Sequence, residues 1–233
     1  MIISFKYKFI FIKNYKTASS SIESYLYNFL TNKDIFTQTE DHKGINCWGN
    51  INPKSLVENF DKKKVEKVIN SKMAFFPHMP IWLIKERLAP LEKKLNYKIF
   101  KNFYKFAVIR NPFDVVVSSY CWHYNPKAPI TFEQMLYKLE NNKYTTGGLH
   151  NLNRVMDLSL NKIICDKILK YENLNGELDK IFKKLGIPFG GKLEIFKKKT
   201  NREKDYRKFY NERSINLIND IFRKEIKMFD YKF

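Results

Sequence analysis

Phe5-Lys6-Tyr7-Lys8-Phe9-Ile10-Phe11-Ile12 runs directly into Lys13-Asn14-Tyr15-Lys16-Thr17-Ala18-Ser19-Ser20-Ser21, and then into Ile22, Leu26, Phe29 and Leu30 at helical spacing. The first stretch is short and rich in aromatic and β-branched residues, and its end is apolar at every position. That pattern predicts a strand buried on both faces. The change of period at Ser20 predicts a helix, and Ser20 with Glu23 matches a capping box at its start. A buried strand, a polar loop and a helix start make an anion site. Helix-start N–H groups lack intrahelical acceptors, and small side chains let a phosphate approach them. Lys16 adds a charge. The plainer alternative is a serine-rich helix cap beside one surface lysine.

A second stretch repeats the arrangement. Tyr104 to Ile109 is the clearest strand, with Arg110 at its C-terminal end, Pro112 suited to the first helical position, and an apolar helix over Val115 to Tyr124. An arginine at a strand end suits a two-pronged grip on a phosphate, and Ser118 lies two turns further on. The alternative is an Arg110–Asp114 pair that only locks the turn. Between and after these stretches the pattern predicts a helix within Ser55 to Asn70, a short strand over Met73 to Phe76 leading to His78, and a helix over Ile81 to Leu95 interrupted by Pro90. It continues with a helix over Phe132 to Leu139, a strand over Lys167 to Tyr171, and a helix over Leu174 to Leu185 closed by Gly186. A basic loop over Lys197 to Arg207 and a helix over Ile215 to Phe229 follow. Alternating strands and helices predict a single α/β domain over residues 1–233. Its centre is a parallel sheet of four or five strands, flanked by helices, with ligands at the strand C-terminal ends.

Composition bounds the function. A net charge of +19 invites an anionic partner, and nucleic acid is the first candidate. The excess is lysine, with 36 lysines against seven arginines spread along the chain, so codon bias explains most of it equally well. A hydrophobic content of 44% and aromatic content of 16% exclude a disordered basic tail. Cys47, Cys121 and Cys165 form no C-x-x-C pair, which argues against a zinc finger or disulfide scaffold and fits a reducing compartment. No cleavable leader pattern and no run near ~20 apolar residues is present, so a soluble, cytoplasmic protein is expected. Lys16-Thr17 matches the end of a nucleoside-triphosphate loop, but Ile10 and Tyr15 stand where its glycines belong, which disfavours a kinase or GTPase.

Taken together, Lys16-Thr17-Ala18-Ser19-Ser20-Ser21-Ile22 and Val108-Ile109-Arg110-Asn111-Pro112-Phe113-Asp114 with Ser118-Ser119-Tyr120 resemble the two nucleotide-binding motifs of sulfotransferases. Pro77-His78-Met79-Pro80 is similar to the His-x-Pro segment of the carbohydrate, Golgi-type branch and its bacterial and viral relatives. Tyr171-Glu172-Asn173-Leu174, Leu185-Gly186-Ile187-Pro188, Asp205-Tyr206-Arg207 with Tyr210, and Phe229-Asp230-Tyr231 resemble later segments of that branch. The likeness spans nearly the whole chain. One departure is Tyr15, where the family usually has proline.

The resemblance implies a P-loop-like sulfotransferase fold and the co-substrate 3′-phosphoadenosine 5′-phosphosulfate (PAPS), with no metal. It implies that Lys16, Thr17, Ala18, Ser19, Ser20 and Ser21 hold the 5′-phosphosulfate, with Lys16 on the leaving oxygen. Arg110 and Ser118 would bind the 3′-phosphate, and Thr200, Asn201 and Arg202 would close over the nucleotide. His78 is then the leading base for a hydroxyl acceptor, a glycan being first choice, because its ordinary pKa of ~6.5 suits proton abstraction. The alternative is a histidine that only packs in its turn. Glu23 is assigned to the capping box, His123 to a helix end, and His150 to packing or the acceptor side. Trp48, Trp82 and Trp122 are assigned to the core or to stacking on a sugar or adenine. A non-catalytic basic domain binding a nucleotide or nucleic acid remains the competing class, though nucleic acid falls behind once both phosphate motifs are present. A degenerate sulfotransferase that binds without transferring is the third. The acceptor and the oligomeric state have no signature.

Overall fold

A computed structural model describes residues 1–39, 41–45, 75–123, 130–141, 149–194, 197 and 202–233. The expected helix over Ser55 to Asn70, most of the expected strand over Met73 to Phe76, Cys47, Trp48, Thr200 and Asn201 lie outside them. Phe75 and Phe76 are described and are not in a strand.

Among the described residues the sheet has five strands. In chain order they are β1 (Ile2–Ser4), β2 (Phe9–Ile12), β3 (Ile35–Phe36), β4 (Tyr104–Ile109) and Lys167–Lys170. Their spatial order is β3, β1, β2, β4 and then the Lys167–Lys170 strand. β2, β4 and that last strand are parallel, with Ile12 opposite Ala107 and Ile109 opposite Lys170. β1 is antiparallel to both β2 and β3. The expected parallel sheet is thus present in the half that carries the candidate site, and an antiparallel pair extends its other edge.

The single strand expected over Phe5 to Ile12 is instead the second arm of a hairpin. Lys8 takes a left-handed conformation (φ 53°) and reverses the chain. Lys6 and Lys8 are exposed at this turn, and Asp34 accepts a hydrogen bond from the Phe5 N–H at 2.6 Å. The sequence hides the reversal because both arms are largely apolar and the turn, Phe5 to Lys8, alternates aromatic and lysine residues as a strand would, without the glycine or asparagine that usually marks a turn.

Period-2 alternation places the core on both sheet faces. Ile3, Ile10, Ile12 and Ala107 face one cluster, which includes α2 (Ile81–Leu95) and Leu152 and Val155. Phe9, Phe11, Phe106, Val108 and Leu169 face the other, closed by Ile22 and Leu26 of α1 (Ser19–Tyr27) and by Leu178, Ile181 and Phe182. Pro90 does not end α2. It lies on the exposed face, as does Glu86 one turn earlier, where the ring costs the helix one hydrogen bond without burying the lost partner's residue.

A short helix α3 (Ile99–Asn102) leads into β4. After β4 come α4 (Pro112–His123), α5 (Phe132–Glu140), α6 (Asn151–Val155), and a small hairpin of β5 (Met156–Asp157) and β6 (Lys162–Ile163). The Lys167–Lys170 strand is β7, and α7 (Leu174–Leu185) follows it. The helix expected over Ile215 to Phe229 is two, α8 (Glu212–Ile221) and α9 (Arg223–Phe229), broken at Phe222. Phe222 is buried against α4 and α5 residues, so packing of its ring takes precedence over helical continuity. Among the described residues no helix is long and apolar enough to cross a membrane.

Candidate active site

The parallel strands β2, β4 and β7 end side by side, and their loops meet. Lys13 to Ala18 leaves β2, Arg110 and Asn111 leave β4, and Tyr171 and Glu172 leave β7. Lys16 and Ala18 both adopt left-handed backbone (φ 58° each), which costs energy for residues with a Cβ and must be held in place by neighbours.

The neighbours are visible one carbonyl at a time. The Lys13 carbonyl accepts from His78 Nδ1 at 3.1 Å, and the Asn14 carbonyl accepts from the Ser19 hydroxyl at 2.9 Å. The Tyr15 carbonyl accepts from the Asn151 amide at 2.9 Å, and the Lys16 carbonyl accepts from Arg110 at 3.1 Å. Four consecutive carbonyls are therefore fixed by four side chains, three of them from distant parts of the chain and one from the helix that follows the loop. With these carbonyl oxygens occupied and the Ser21 N–H bonded to the Ala18 carbonyl, the N–H groups of Ala18, Ser19 and Ser20 have no partner among the described residues and are open to an anion.

The expected capping box is absent. Ala18 is the residue before α1, and no side chain caps the helix. Thr17 and Ser19 hydroxyls bond each other at 2.8 Å. Glu23 points instead into the core, fully buried, where it pairs with the Lys13 ammonium and the Met1 amino group. Burial opposes ionisation of Glu23, but the two cations more than offset it and hold the carboxyl below its usual range. The spacing from Ser20 misleads because Ala18, in left-handed conformation, is the N-cap, two residues before Ser20.

Arg110 is 7% exposed. Its Nε donates to Asp114 at 2.7 Å and a terminal nitrogen meets the same carboxylate oxygen at 2.5 Å. Its plane lies 3.9 Å from the centre of the Tyr171 ring. The Arg110–Asp114 pair is thus present; counting the Lys16 carbonyl, three of the five guanidinium N–H groups are engaged, and two have no partner among the described residues. Arg202 binds the other oxygen of Asp114, and its Nη1 is buried with no partner among the described residues. Ser118 is buried on α4, two turns along.

His78 has positive φ (61°), and its ring lies against Tyr15 at 5.5 Å between centroids. A carbonyl only accepts, so the contact with Lys13 puts the proton on Nδ1 and leaves the lone pair on Nε2. Burial, then the positive charges of Lys13, Arg154 and the Met1 amino group, push the imidazole pKa well below its usual value. His78 is accordingly neutral at neutral pH.

A family model described as "Sulfotransferase family" matches residues 1–232. The chain belongs to the sulfotransferase family. An uncharacterized protein of Archaeoglobus fulgidus is 29% identical over 117 residues, which is 47% of this chain and 84% of that protein. The structure of mouse sulfotransferase SULT7A1 complexed with PAP shares the fold with a TM-score of 0.51 and 12% identity. The match covers 96% of this chain and 85% of that one.

The C-terminal segments of this sulfotransferase close on the Arg110 turn. The Asn111 amide donates to the Lys232 carbonyl at 2.9 Å and to the Tyr206 hydroxyl at 3.1 Å, and its backbone N–H donates to Glu172 at 2.7 Å. The hydroxyl of Tyr210 donates to the Phe113 carbonyl at 2.8 Å, and that of Tyr231 to Glu172 at 3.3 Å. The Tyr206, Tyr210 and Tyr231 motifs at the end of the chain therefore brace the β4–α4 turn. In the basic loop, the Lys197 N–H donates to the Ser21 hydroxyl at 2.9 Å, so that loop reaches the first turn of α1.

The remaining candidates separate. His123 bonds the Tyr15 hydroxyl and stacks parallel to its ring. Trp122 carries the Lys16 ammonium 4.9 Å from its ring centre. His150 packs on Phe222, with ring centroids 4.6 Å apart. Trp82 packs against the core. Asn151, Tyr171 and the Asp114–Arg202 link were not expected as site residues. The Tyr171 segment at least lay at a strand end; Asn151 had no local signal at all.

Proposed function

We propose that this sulfotransferase moves the sulfo group of PAPS to a hydroxyl acceptor, a carbohydrate, by in-line displacement within one domain spanning residues 1–233. The observation that supports it most is the bond from Arg110 to the Lys16 carbonyl, which ties the two phosphate motifs into one anion-binding cradle. The N–H groups of Ala18, Ser19 and Ser20 receive the 5′-phosphosulfate, while the Thr17 and Ser19 hydroxyls, bonded to each other and to the Asn14 carbonyl, hold the loop in shape. Arg110, with Ser118, receives the 3′-phosphate, and Arg202 with Thr200 and Asn201 covers the nucleotide. The unpartnered nitrogen of Arg202 agrees with an anion arriving beside Asp114.

The acceptor oxygen attacks sulfur, and its proton passes to Nε2 of His78. As the new S–O bond forms, the bond from sulfur to the bridging oxygen breaks, and its electron pair stays on the 5′-phosphate. Lys16 leaves Trp122 and meets that charge, so the step needs no metal. The carbohydrate assignment rests on the likeness of Pro77-His78-Met79-Pro80 to the carbohydrate branch.

A thermal melt series tests the nucleotide assignment. Adenosine 3′,5′-bisphosphate at 100 times its Kd stabilises the fold by about 2.7 kcal/mol, so a clear rise in Tm is expected, with a smaller rise for ATP or AMP at the same concentration. Equal shifts for all three overturn the assignment of Arg110 to a 3′-phosphate.

A further inference from the structure

Asn151 is fully buried at the start of α6, 136 residues away in sequence from the loop it touches. Its side-chain oxygen accepts from the Tyr15 N–H at 2.7 Å, and its side-chain NH₂ donates to the Tyr15 carbonyl at 2.9 Å. One amide thus satisfies both backbone groups of a single residue, as a neighbouring strand would. Arg154, one turn along α6, reaches the Asn151 oxygen at 3.4 Å and orients the amide so that oxygen and nitrogen are not interchangeable. Tyr15 stands between two groups of the proposed reaction. Lys13, two residues before it, holds His78 through its carbonyl. Lys16, immediately after it, carries the charge for the leaving group.

We propose that Asn151 is a positioning residue that sets the distance between Lys16 and His78 by clamping the backbone of Tyr15. The proposal rests on the roles assigned above to those two residues. The Asn151 side chain bonds the Tyr15 backbone and Arg154, so its action passes through the loop. The other three carbonyl contacts come from groups with another task or from the loop's own helix. Asn151 is the contact dedicated to holding the loop.

The decisive variant is Asn151→Asp, nearly the same shape. It still accepts from the Tyr15 N–H but turns a carboxylate oxygen toward the Tyr15 carbonyl, so one half of the clamp becomes repulsive. A misplacement of about 1 Å at a reacting group costs about 10²-fold in rate. A fall of that order in kcat is expected, with less than tenfold change in Kd for adenosine 3′,5′-bisphosphate. Because the effect passes through Lys16, the double variant with Lys16→Ala is expected to be no slower than Lys16→Ala alone. A kcat within threefold of the parent overturns the proposal, and so do losses that multiply in the double variant. Asn151→Ala repeats the cycle without the added charge. Amide exchange of Tyr15 in the unaltered chain tests the clamp without catalysis or mutation: slow exchange is expected, and exchange as fast as an open loop overturns it. A parent that transfers no sulfo group while Tyr15 is protected overturns the functional assignment and leaves the clamp standing.

Discussion

Changing His78 to asparagine is expected to lower kcat by about 10²- to 10⁴-fold while nucleotide affinity stays within about threefold. The direction follows from the tautomer: Nδ1 is committed to the Lys13 carbonyl, and Nε2 is the basic nitrogen. Asparagine is the informative replacement because it tolerates positive φ and its amide still donates to that carbonyl, so the turn survives and only the base is lost. The pH dependence has a definite sign. Burial, with Lys13 and Arg154 nearby, lowers the His78 pKa well below 6.5. The active, neutral imidazole therefore persists below that value, and kcat/KM is level near neutrality and falls only at lower pH. An acid limb at or above 6.5, or a His78→Asn enzyme at parental speed, shows that another group takes the proton.

Lys16 carries the second large effect. Its replacement by methionine keeps a stem to lie on Trp122 and removes only the charge. Deleting one preorganised donor to a developing oxyanion typically costs about 10²- to 10³-fold, and the same is expected in kcat for Lys16→Met. KM for the nucleotide is expected to move little, because the N–H groups at the α1 start still hold the phosphate. Lys16→Arg is expected to recover little, since the planar guanidinium does not reproduce a point charge on a left-handed residue. A large rise in KM at unchanged kcat instead places Lys16 in ground-state binding.

Local chemistry announced part of this site and none of the rest. The β4 strand, Arg110, Pro112 and the helix after them were legible because strand end, turn and helix start are adjacent in sequence. Gly186 was legible as a helix end because its left-handed conformation has a residue signature. Lys8 and Ala18 adopt the same conformation with no such signature, held there by tertiary contacts, and each shifted an element boundary. Glu23 read as a cap because its spacing from Ser20 is right. Its pairing with Lys13 depends on where β2 places that lysine, which spacing does not reveal. Asn151 acts across 136 residues on a backbone it meets only in the folded chain.

The positive charge narrows in the same way. Of 43 lysines and arginines, Lys16, Arg110 and Arg202 gather at the strand ends, and Lys13 and Arg154 act inward on His78. Seven arginines are few enough that two sharing the Asp114 carboxylate stand out against the lysine background.

A transfer assay with PAPS labelled in its sulfo group, run against glycans, lipids and small alcohols, bears most directly on the proposed reaction. The expected result is label on a carbohydrate hydroxyl with adenosine 3′,5′-bisphosphate released in equal amount, and loss of both in His78→Asn. Release of the bisphosphate without a labelled acceptor, or label on the carbohydrate undiminished in His78→Asn, contradicts it.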